Sequence, residues 1–263
     1  MTLTRATSRS RLWPFLLQGL LLAGMATAAL LVARPRTRPL VQWQAVAPGL
    51  DRATVTAGDG VTKILLFRFQ LARFHPEVVV AAGAPLHAET VAGFRQRVGA
   101  VAAVNGGFFD PQGVPLGLRV ARGVTRFPLR PHADWGVLTL EPGRARIVHT
   151  KELRGDEHFE GAIQVGPRLL ASGAALKLKP QLARRTAVAL ERDGRALTLV
   201  VVPTPIEAGD LAARLVACGF ESALLLDGGP STQLAFEAAG ITVDVPGAYP
   251  VPDLLAIFEG PSP

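Results

Sequence analysis

Short apolar stretches separated by Gly, Pro or charged residues make up most of the chain beyond residue 60. Apolar runs of four to eight residues between turn residues are typical of strands, because helices need longer periodic segments. Two pairs of such runs are joined by Glu141-Pro142-Gly143 and by Asp193-Gly194, which predicts hairpins there. The predicted strands cover residues 61–69, 77–82, 100–104, 136–140, 144–148, 162–165, 187–190, 197–202, 223–226, 233–236 and 254–258.

Two further segments repeat apolar residues at helical spacing. In residues 89–98 the apolar side chains share one face, and Gly99 suits the left-handed position that follows a helix. A second helix is predicted over residues 209–219, again with Gly at its end. Both helices lead directly into one of the short apolar strands.

The strand after each helix ends in a polar residue and two glycines. These turns are Asn105-Gly106-Gly107 and Asp227-Gly228-Gly229, and Asn105 is the only asparagine in the chain. Buried strands deliver functional groups at their ends, and glycine lets the backbone approach a ligand closely. Two units of like design predict that Asn105 and Asp227 lie at the same edge of one sheet. An ordinary turn with a solvated Asp227 is the alternative interpretation.

These elements predict an α+β fold, which is a single domain with a mixed multi-stranded sheet flanked by helices and preceded by one N-terminal hydrophobic helix. The domain is assigned to residues 59–260, because no linker is visible after residue 50. Residues 34–58 contain three prolines and are expected to be a tether.

The N-terminal segment predicts export. Residues 12–33 carry no charge and have arginines on both sides, and about 20 such residues can span a bilayer. Residues 1–33 are therefore a signal anchor or a cleavable signal peptide. Ala26-Thr27-Ala28 resembles a cleavage site, but the apolar run continues beyond it, which favours the anchor. The domain is expected to be periplasmic or extracellular, attached to the inner membrane by residues 12–33.

The basic excess of the chain does not indicate a nucleic-acid partner. The formal net charge is +7, but six arginines and no acidic residue lie in residues 1–40, which leaves +1 for the rest. A nucleic-acid-binding domain would concentrate positive charge on the folded part. No nucleic-acid binding is therefore expected.

Several segments together resemble the phosphodiester glycosidase family. They are Asn105-Gly106-Gly107-Phe108-Phe109-Asp110, Gln164-Val165-Gly166-Pro167, Arg185-Thr186-Ala187 and Leu226-Asp227-Gly228-Gly229-Pro230-Ser231, with Val251-Pro252-Asp253 near the end. They follow the family's order between residues 60 and 258, so the set is more specific than any single motif. The commonest form of the family has Gly and Ser where this chain has Pro230 and Thr232.

The resemblance implies an EC 3.1.4-type hydrolase that cleaves the bond between a sugar's anomeric carbon and a phosphodiester oxygen. A phosphate monoester, with a second pKa near ~6, leaves readily, so cationic stabilisation matters more than a strong general acid. Arg185 is the predicted phosphate clamp. Asp227 is the predicted catalytic carboxylate, as nucleophile, base or stabiliser of an oxocarbenium-like transition state. Asp110 is the alternative partner, although an Asp at this position also opens turns.

The predicted substrate-binding residues surround the two turns. They are Asn105, Gly106, Gly107, Gly228, Gly229, Ser231 and Thr232. Asn105 and Ser231 would hydrogen-bond sugar hydroxyls or phosphate, and the glycine amides would form an anion-binding nest. These motifs establish no cofactor. A calcium ion held by Asp227, Asp110 or carbonyl oxygens is one option, without a loop of the EF-hand type.

The function expected from the resemblance is hydrolysis of glycosyl-1-phosphodiesters in envelope or exopolysaccharide material. The partner would be a carbohydrate phosphodiester, with the membrane contacted through the N-terminal helix. A non-catalytic carbohydrate-binding or polysaccharide-export accessory protein on the same fold is the alternative, because a fold does not guarantee its chemistry. A metal-dependent phosphatase or nuclease is disfavoured, because the sequence shows no His/Asp cluster.

Overall fold

The computed structural model of the chain describes residues 41–81, 88–155 and 157–260. In this part, three antiparallel sheets surround a common apolar core. The large sheet contains, in spatial order, β1 (Gln44–Ala47), β2 (Leu50–Thr56), β3 (Lys63–Gln70), β14 (Ala196–Glu207), β13 (Leu182–Leu190), β15 (Ser222–Leu225), β11 (Arg168–Ala171) and β12 (Ala174–Ala175).

The other two sheets have five strands each and are named here after one member. The β5 sheet has the order β17 (Ile241–Val245), β16 (Leu234–Ala238), β5 (Ala102–Asn105), β18 (Asp253–Glu259) and β4 (Phe74–Val80). The β10 sheet has the order β7 (Val124–Phe127), β6 (Arg119–Ala121), β10 (Gly161–Val165), β8 (Gly136–Glu141) and β9 (Arg144–His149). The described residues also contain α1 (Val91–Val98), α2 (Ala208–Ala217) and two single 3₁₀ turns, Thr150–Glu152 and Gly229–Ser231.

The predicted helices are confirmed within a few residues at each end. The Thr90 side chain caps α1 by accepting a hydrogen bond from Gly93 N at 3.2 Å. Gly99 ends α1 in the left-handed conformation, with φ 73°. α2 buries Leu211 and Leu215 on its apolar face. Each helix is thus stable because one face is covered by a sheet.

The three sheets share one core, and the helices extend it outward. The large sheet contributes Phe67 and Phe69, the β5 sheet contributes Phe236, and the β10 sheet contributes Leu138 and Ile163. Burial of each such side chain contributes about 1.5–3 kcal/mol. α2 covers the outer face of the large sheet, and α1 covers the outer face of the β5 sheet.

The α+β prediction with a mixed sheet is wrong. The described residues are mainly strands, and every pairing between their named strands is antiparallel. The two helix–strand units do not share a sheet either, because β5 pairs with β16 and β18 whereas β15 pairs with β13 and β11. A short apolar run indicates a strand but carries no information about which strand pairs with it. The helix before each of these two strands therefore suggested, wrongly, that they lie in one mixed sheet.

Two local predictions also differ from the structure. Residues 44–56, assigned to the tether, form β1 and β2, in which Leu50, Ala53 and Val55 are buried. The strand predicted over residues 77–82 begins earlier, because His75 and Pro76 already lie inside β4. This strand is at the edge of its sheet, where a proline removes no ladder hydrogen bond on the solvent side.

Membrane attachment was predicted from a segment that the structure does not describe. Among the described residues, no helix combines the length and the apolarity needed to cross a membrane. Residues 12–33, and with them the predicted anchor or signal peptide, lie outside the described residues.

Candidate active site

The two Gly-Gly turns lie side by side although their strands belong to different sheets. The Asp227 backbone N–H donates to Gly106 O at 3.0 Å, and Asn105 Nδ2 donates to the Asp227 carbonyl oxygen at 2.8 Å. The fully buried Asn105 also accepts hydrogen bonds at Oδ1 from Thr186 Oγ1 (2.7 Å) and from Gln233 N (3.1 Å). Asn105 therefore connects β5, β13 and the start of β16, and a contact with sugar or phosphate would have to displace one of these bonds.

A fully buried ion pair lies behind the Asn105 turn. Arg119 Nε is 2.8 Å from Asp253 Oδ2, and neither side chain is exposed. Asp253 Oδ1 accepts a hydrogen bond from Gly107 N at 2.9 Å, and the Asp253 carbonyl oxygen accepts one from Gly106 N at 2.9 Å. The amides predicted to form an anion-binding nest at this turn are therefore engaged by the protein's own Asp253.

Arg119 also brings the β10 sheet to the site. Its Nη1 donates to Gln164 O at 2.9 Å and to Leu118 O at 3.1 Å, and its Nη2 donates to Phe108 O at 3.2 Å. The buried Gln164 side chain in turn accepts a hydrogen bond from Leu118 N at 3.1 Å. Residues of all three sheets thus meet around the two turns.

The Asp227 turn is more open than the Asn105 turn. Asp227 Oδ1 accepts a hydrogen bond from Gly228 N at 2.9 Å, and the Ser231 hydroxyl also bonds this carboxylate. Ser231 Oγ lies 3.3 Å from the hydroxyl of Tyr249, whose side chain is partly exposed at the rim. The Tyr249 ring packs edge-on against Phe109, with 6.2 Å between the ring centroids. Asp227 therefore has a half-buried carboxylate beside an accessible aromatic surface.

Burial raises the pKa of the Asp227 carboxyl above its ordinary value. The hydrogen bonds from Ser231 and Gly228 N act in the opposite direction, because they stabilise the ionised form. Asp253 raises the pKa of Asp227 further, while Arg119 lowers it. Burial also raises the pKa of Asp253, against the opposing effect of the Arg119 guanidinium.

Arg185 lies beside the Asp227 turn but uses much of its guanidinium elsewhere. Its Cδ is 3.9 Å from the point where a Cβ on Gly228 would stand. Its Nε donates to Ile206 O at 3.3 Å, and its Nη2 donates to Gln181 O. The role of Arg185 as a phosphate clamp stays a prediction, and two of its donors already have backbone partners.

Asp110 and Thr232 occupy positions that differ from one another. The Asp110 carboxylate accepts hydrogen bonds from Gln112 N and Val114 N, both at 2.9 Å, and so closes its own turn. Thr232 is fully buried, and its hydroxyl has no hydrogen-bond partner among the described residues.

No metal site is apparent in the part of the chain that the structure describes, because no group of three or more His, Cys, Asp or Glu side chains is placed to hold a metal ion there. The calcium option stays a prediction.

A sequence model of the phosphodiester glycosidase family matches residues 98–258, which contain every residue of this site. The chain belongs to the phosphodiester glycosidase family. The match extends from the end of α1 to β18, so it includes both Gly-Gly turns and the buried ion pair. Membership in this family supports a hydrolase of phosphodiester glycosides.

Solved structures show the same fold at low sequence identity. A hypothetical protein from Synechocystis has a TM-score of 0.65 and 14% identity, with 85% of this chain and 64% of that chain covered. The catalytic domain of zebrafish N-acetylglucosamine-1-phosphodiester alpha-N-acetylglucosaminidase, auto-inhibited by its pro-peptide, has a TM-score of 0.63 and 17% identity. That match covers 87% of this chain and 86% of the zebrafish chain. A comparison of the sequence with curated proteins finds no match.

Sequence reasoning missed the ion pair and the rim tyrosine. Asp253 lies in a segment that carried the family resemblance, but no site role was assigned to it. Arg119 stands between Leu118 and Val120 in a short apolar run, where an arginine is ordinarily taken as solvent-exposed. The available signal was the Gly106-Gly107 pair, because two adjacent glycines after a buried strand indicate that bulky groups pack against them.

Proposed function

We propose that the protein hydrolyses the sugar–phosphate bond of glycosyl-1-phosphodiesters in envelope or exopolysaccharide material. The observation that carries the proposal is the Asp227 carboxylate, which is half-buried beside the open rim while the residues behind it are held by buried hydrogen bonds. The name of the zebrafish relative specifies an N-acetylglucosamine-1-phosphodiester, which supports this class of substrate.

Asp227 is the proposed catalytic carboxylate, acting as nucleophile or as stabiliser of an oxocarbenium-like transition state. Both roles need the ionised form, so activity is expected to rise with pH through the raised pKa of Asp227. The leaving group is a phosphate monoester with a second pKa near ~6, so a second carboxylic acid is not required to protonate it. This suits a site in which Asp253, the nearby carboxylate, is bound to Arg119.

The rim and the turn supply the proposed substrate contacts. Tyr249 and Phe109 present aromatic surface to one face of a sugar, and the Ser231 hydroxyl lies between Tyr249 and Asp227. Arg185 is proposed to stabilise the phosphate through the guanidinium hydrogens that its two backbone partners leave free. The uncharged residues 12–33 are long enough to span a bilayer, which supports an exported location at the membrane.

The experiment measures sugar release by the full chain in mild detergent. UDP-N-acetylglucosamine and a simple alkyl α-N-acetylglucosamine-1-phosphodiester are supplied with and without calcium. Free sugar is quantified together with the co-product, which is UDP from the first substrate and the alkyl phosphate from the second. Asp227→Asn is expected to lower kcat by about 10³-fold or more, because it removes the reacting carboxylate. Asp244→Asn is the matched control, since Asp244 is exposed on β17, and it should keep wild-type activity.

Two results would overturn the proposal. One is a wild-type protein that cleaves no diester under any of these conditions, which together with measurable diester binding would favour the accessory-protein interpretation. The other is an Asp227→Asn variant that keeps its activity, which would place the chemistry on another residue.

A further inference from the structure

We propose that the buried pair Arg119–Asp253 is the positioning device of the active site, which holds the Asp227 turn through the Gly106-Gly107 backbone and balances the charge behind the Asp227 carboxylate. The inference rests on the proposed function in one respect, namely that Asp227 is the reacting group. Neither Arg119 nor Asp253 is exposed, so they act on the substrate only through other residues.

The pair is built into the turn by a dense set of contacts. Asp253 binds two consecutive amides, Gly106 N through its carbonyl oxygen and Gly107 N through Oδ1, both at 2.9 Å. Arg119 binds the next carbonyl, Phe108 O, at 3.2 Å, and anchors the other side of its guanidinium on Gln164 O at 2.9 Å. The side chains of the ion pair therefore fix the Gly107 N–H and the Phe108 carbonyl, and the Asp253 backbone fixes the Gly106 N–H.

Steric fit shows that the glycines and the ion pair require one another. A Cβ on Gly106 would stand 1.6 Å from Asp253 Oδ1, and a Cβ on Gly107 would stand 2.3 Å from Arg119 Nη2. Contacts below about 3.0 Å are essentially absent for real Cβ atoms. The Gly-Gly sequence at this turn is thus explained by the space that the two charged side chains occupy, without a ligand approaching the backbone.

The Asp227 turn is fixed through the same backbone. Gly106 O accepts the Asp227 N–H at 3.0 Å, and Asn105 Nδ2 binds the Asp227 carbonyl oxygen at 2.8 Å. A displacement of the Gly106 peptide would therefore move the Asp227 backbone directly. Misplacement of a reacting group by about 1 Å can cost about 100-fold in rate.

Charge gives the pair a second effect on Asp227. The charged groups that act on this carboxylate are Asp253 from β18 and Arg119 from β6, and the stem of Arg185 from β13 lies beside Gly228. Among the described residues, the neutral donors that also act on this carboxylate are Ser231 and Gly228 N. Because Asp253 and Arg119 act on the pKa of Asp227 in opposite directions, loss of either charge alone would leave the effect of the other unopposed.

The test compares one neutralised partner with two. Asp253→Asn leaves the Arg119 cation uncompensated, whereas the double variant Asp253→Asn with Arg119→Gln is neutral and can still form hydrogen bonds between the two side chains. The full chain is labelled with ¹³C at aspartate carboxyls, and the Asp227 signal is assigned by its absence in Asp227→Asn. The midpoint of its titration, kcat and KM are then measured for each protein.

Asp253→Asn is expected to move the Asp227 midpoint to lower pH by about one unit, because a nearby cation favours the carboxylate. The double variant should return the midpoint toward the wild-type value. In both variants kcat should fall by about 100-fold with a smaller change in KM, because the turn is no longer held in place. The matched control is Asp51→Asn, which breaks the 2.8 Å pair with Arg68 away from the site and should change neither quantity.

Two outcomes would overturn the inference. Equal midpoints in wild type, single variant and double variant would remove the electrostatic role, and kcat within twofold of wild type would remove the positioning role. If Asp253→Asn does not fold, the variant Arg119→Lys is used instead, because it keeps the positive charge but loses the forked geometry of the guanidinium. The titration midpoint of Asp227 should then be unchanged, and kcat should fall by about tenfold or more. A wild-type protein without activity would refute the proposed function alone, since the titration does not depend on catalysis.

Discussion

The two Gly-Gly turns look alike in the sequence and differ in almost every physical respect in the fold. At the Asn105 turn the polar side chain is fully buried and bonded to Thr186, Gln233 and the backbone of Asp227. At the Asp227 turn the carboxylate is only partly buried and is bonded within its own turn, to Gly228 N and Ser231. The Asn105 side chain is therefore bonded to several distant parts of the fold, whereas the Asp227 carboxylate is bonded to neighbouring residues of its own turn.

This difference fits the proposed division of roles, in which the Asn105 turn holds the site together and the Asp227 turn carries the reacting carboxylate. The Asn105 turn joins strands of different sheets and has the buried ion pair behind it. The Asn105 side chain and the Gly106 and Gly107 amides therefore all have hydrogen-bond partners within the protein. The Asp227 turn keeps a carboxylate whose pKa is raised by burial, which is typical of groups that act in catalysis. Damage to the first turn should therefore reduce stability and also misplace Asp227, whereas damage to the second turn should reduce activity without a comparable loss of stability.

Glycine substitutions should show the largest contrast between the turns. Gly106→Ala is expected to lower the free energy of unfolding by about 3 kcal/mol, because its Cβ would collide with Asp253 Oδ1. Gly229→Ala should cost only about 1 kcal/mol, since its φ of 58° is strained for alanine but the space around it is open. Urea unfolding of the full chain in mild detergent measures both. Equal losses would contradict the division between the turns.

Exchanging amide and carboxylate at Asn105 and Asp227 should give the next largest difference between the two turns. Asn105→Asp removes the donor to the Asp227 carbonyl oxygen and places a charge in a fully buried position, so a loss of about 2–3 kcal/mol is expected. Asp227→Asn should abolish sugar release without such a loss. Unfolding free energy and kcat, measured on both variants, test the pair. A stable Asn105→Asp variant would show that the Asn105 turn is not the holding element.

The pH dependence of stability should reveal what it costs the fold to ionise the partly buried Asp227 carboxyl. A carboxyl whose pKa is higher in the folded than in the unfolded protein stabilises the fold at pH values below its unfolded-state pKa of 3.8. This contribution is lost as the pH rises through the pKa of the folded state. Asp227→Asn should therefore be more stable than wild type at pH 7, with the difference shrinking toward zero below pH 3.8. Denaturant unfolding at several pH values measures this. A wild type that is the more stable protein at pH 7 would contradict the predicted direction.

The smallest effect is expected at the rim. Tyr249→Phe removes a hydroxyl that lies 3.3 Å from Ser231 Oγ, which is a long contact, and keeps the ring on Phe109. A decrease in kcat/KM of about two- to fivefold is expected, with unfolding changed by less than about 0.5 kcal/mol. A decrease above 100-fold would mean that the hydroxyl acts directly in the reaction and that the open turn extends to Tyr249.

Local elements were predictable because their signals are local. The left-handed Gly99 and the turns at Gly143 and Gly194 follow from residue chemistry over a few positions. Strand pairing is not local. The sequence therefore indicated a mixed sheet where three antiparallel sheets exist. It also assigned β2 to a tether, because only Ala53 and Val55 alternate on one face of this strand, whereas Leu50 is buried in the core on the other face.

The site shows the same boundary between local and distant information. Asn105 and Asp227 were recognised because each follows an apolar strand and precedes two glycines. Arg119 and Asp253 were not, because their pairing joins residues 134 positions apart and gives neither one a distinctive neighbourhood. The amides of Gly106 and Gly107 were assigned to a ligand for the same reason, since their true acceptor is far away in the chain.

The segment between β17 and β18 contacts the Asp227 turn through only a few polar bonds. Ala248 N donates to Pro230 O at 2.8 Å, and Gln233 Nε2 donates to Tyr249 O at 3.0 Å. Both bonds use backbone atoms of the segment, so they survive changes in its side chains. Side chains at residues 248–250 can therefore be changed without disturbing the buried frame, whereas Gly247 must stay a glycine because a Cβ there would collide with the buried Gln233 side chain. Libraries confined to residues 248–250 would test whether this segment sets the substrate preference.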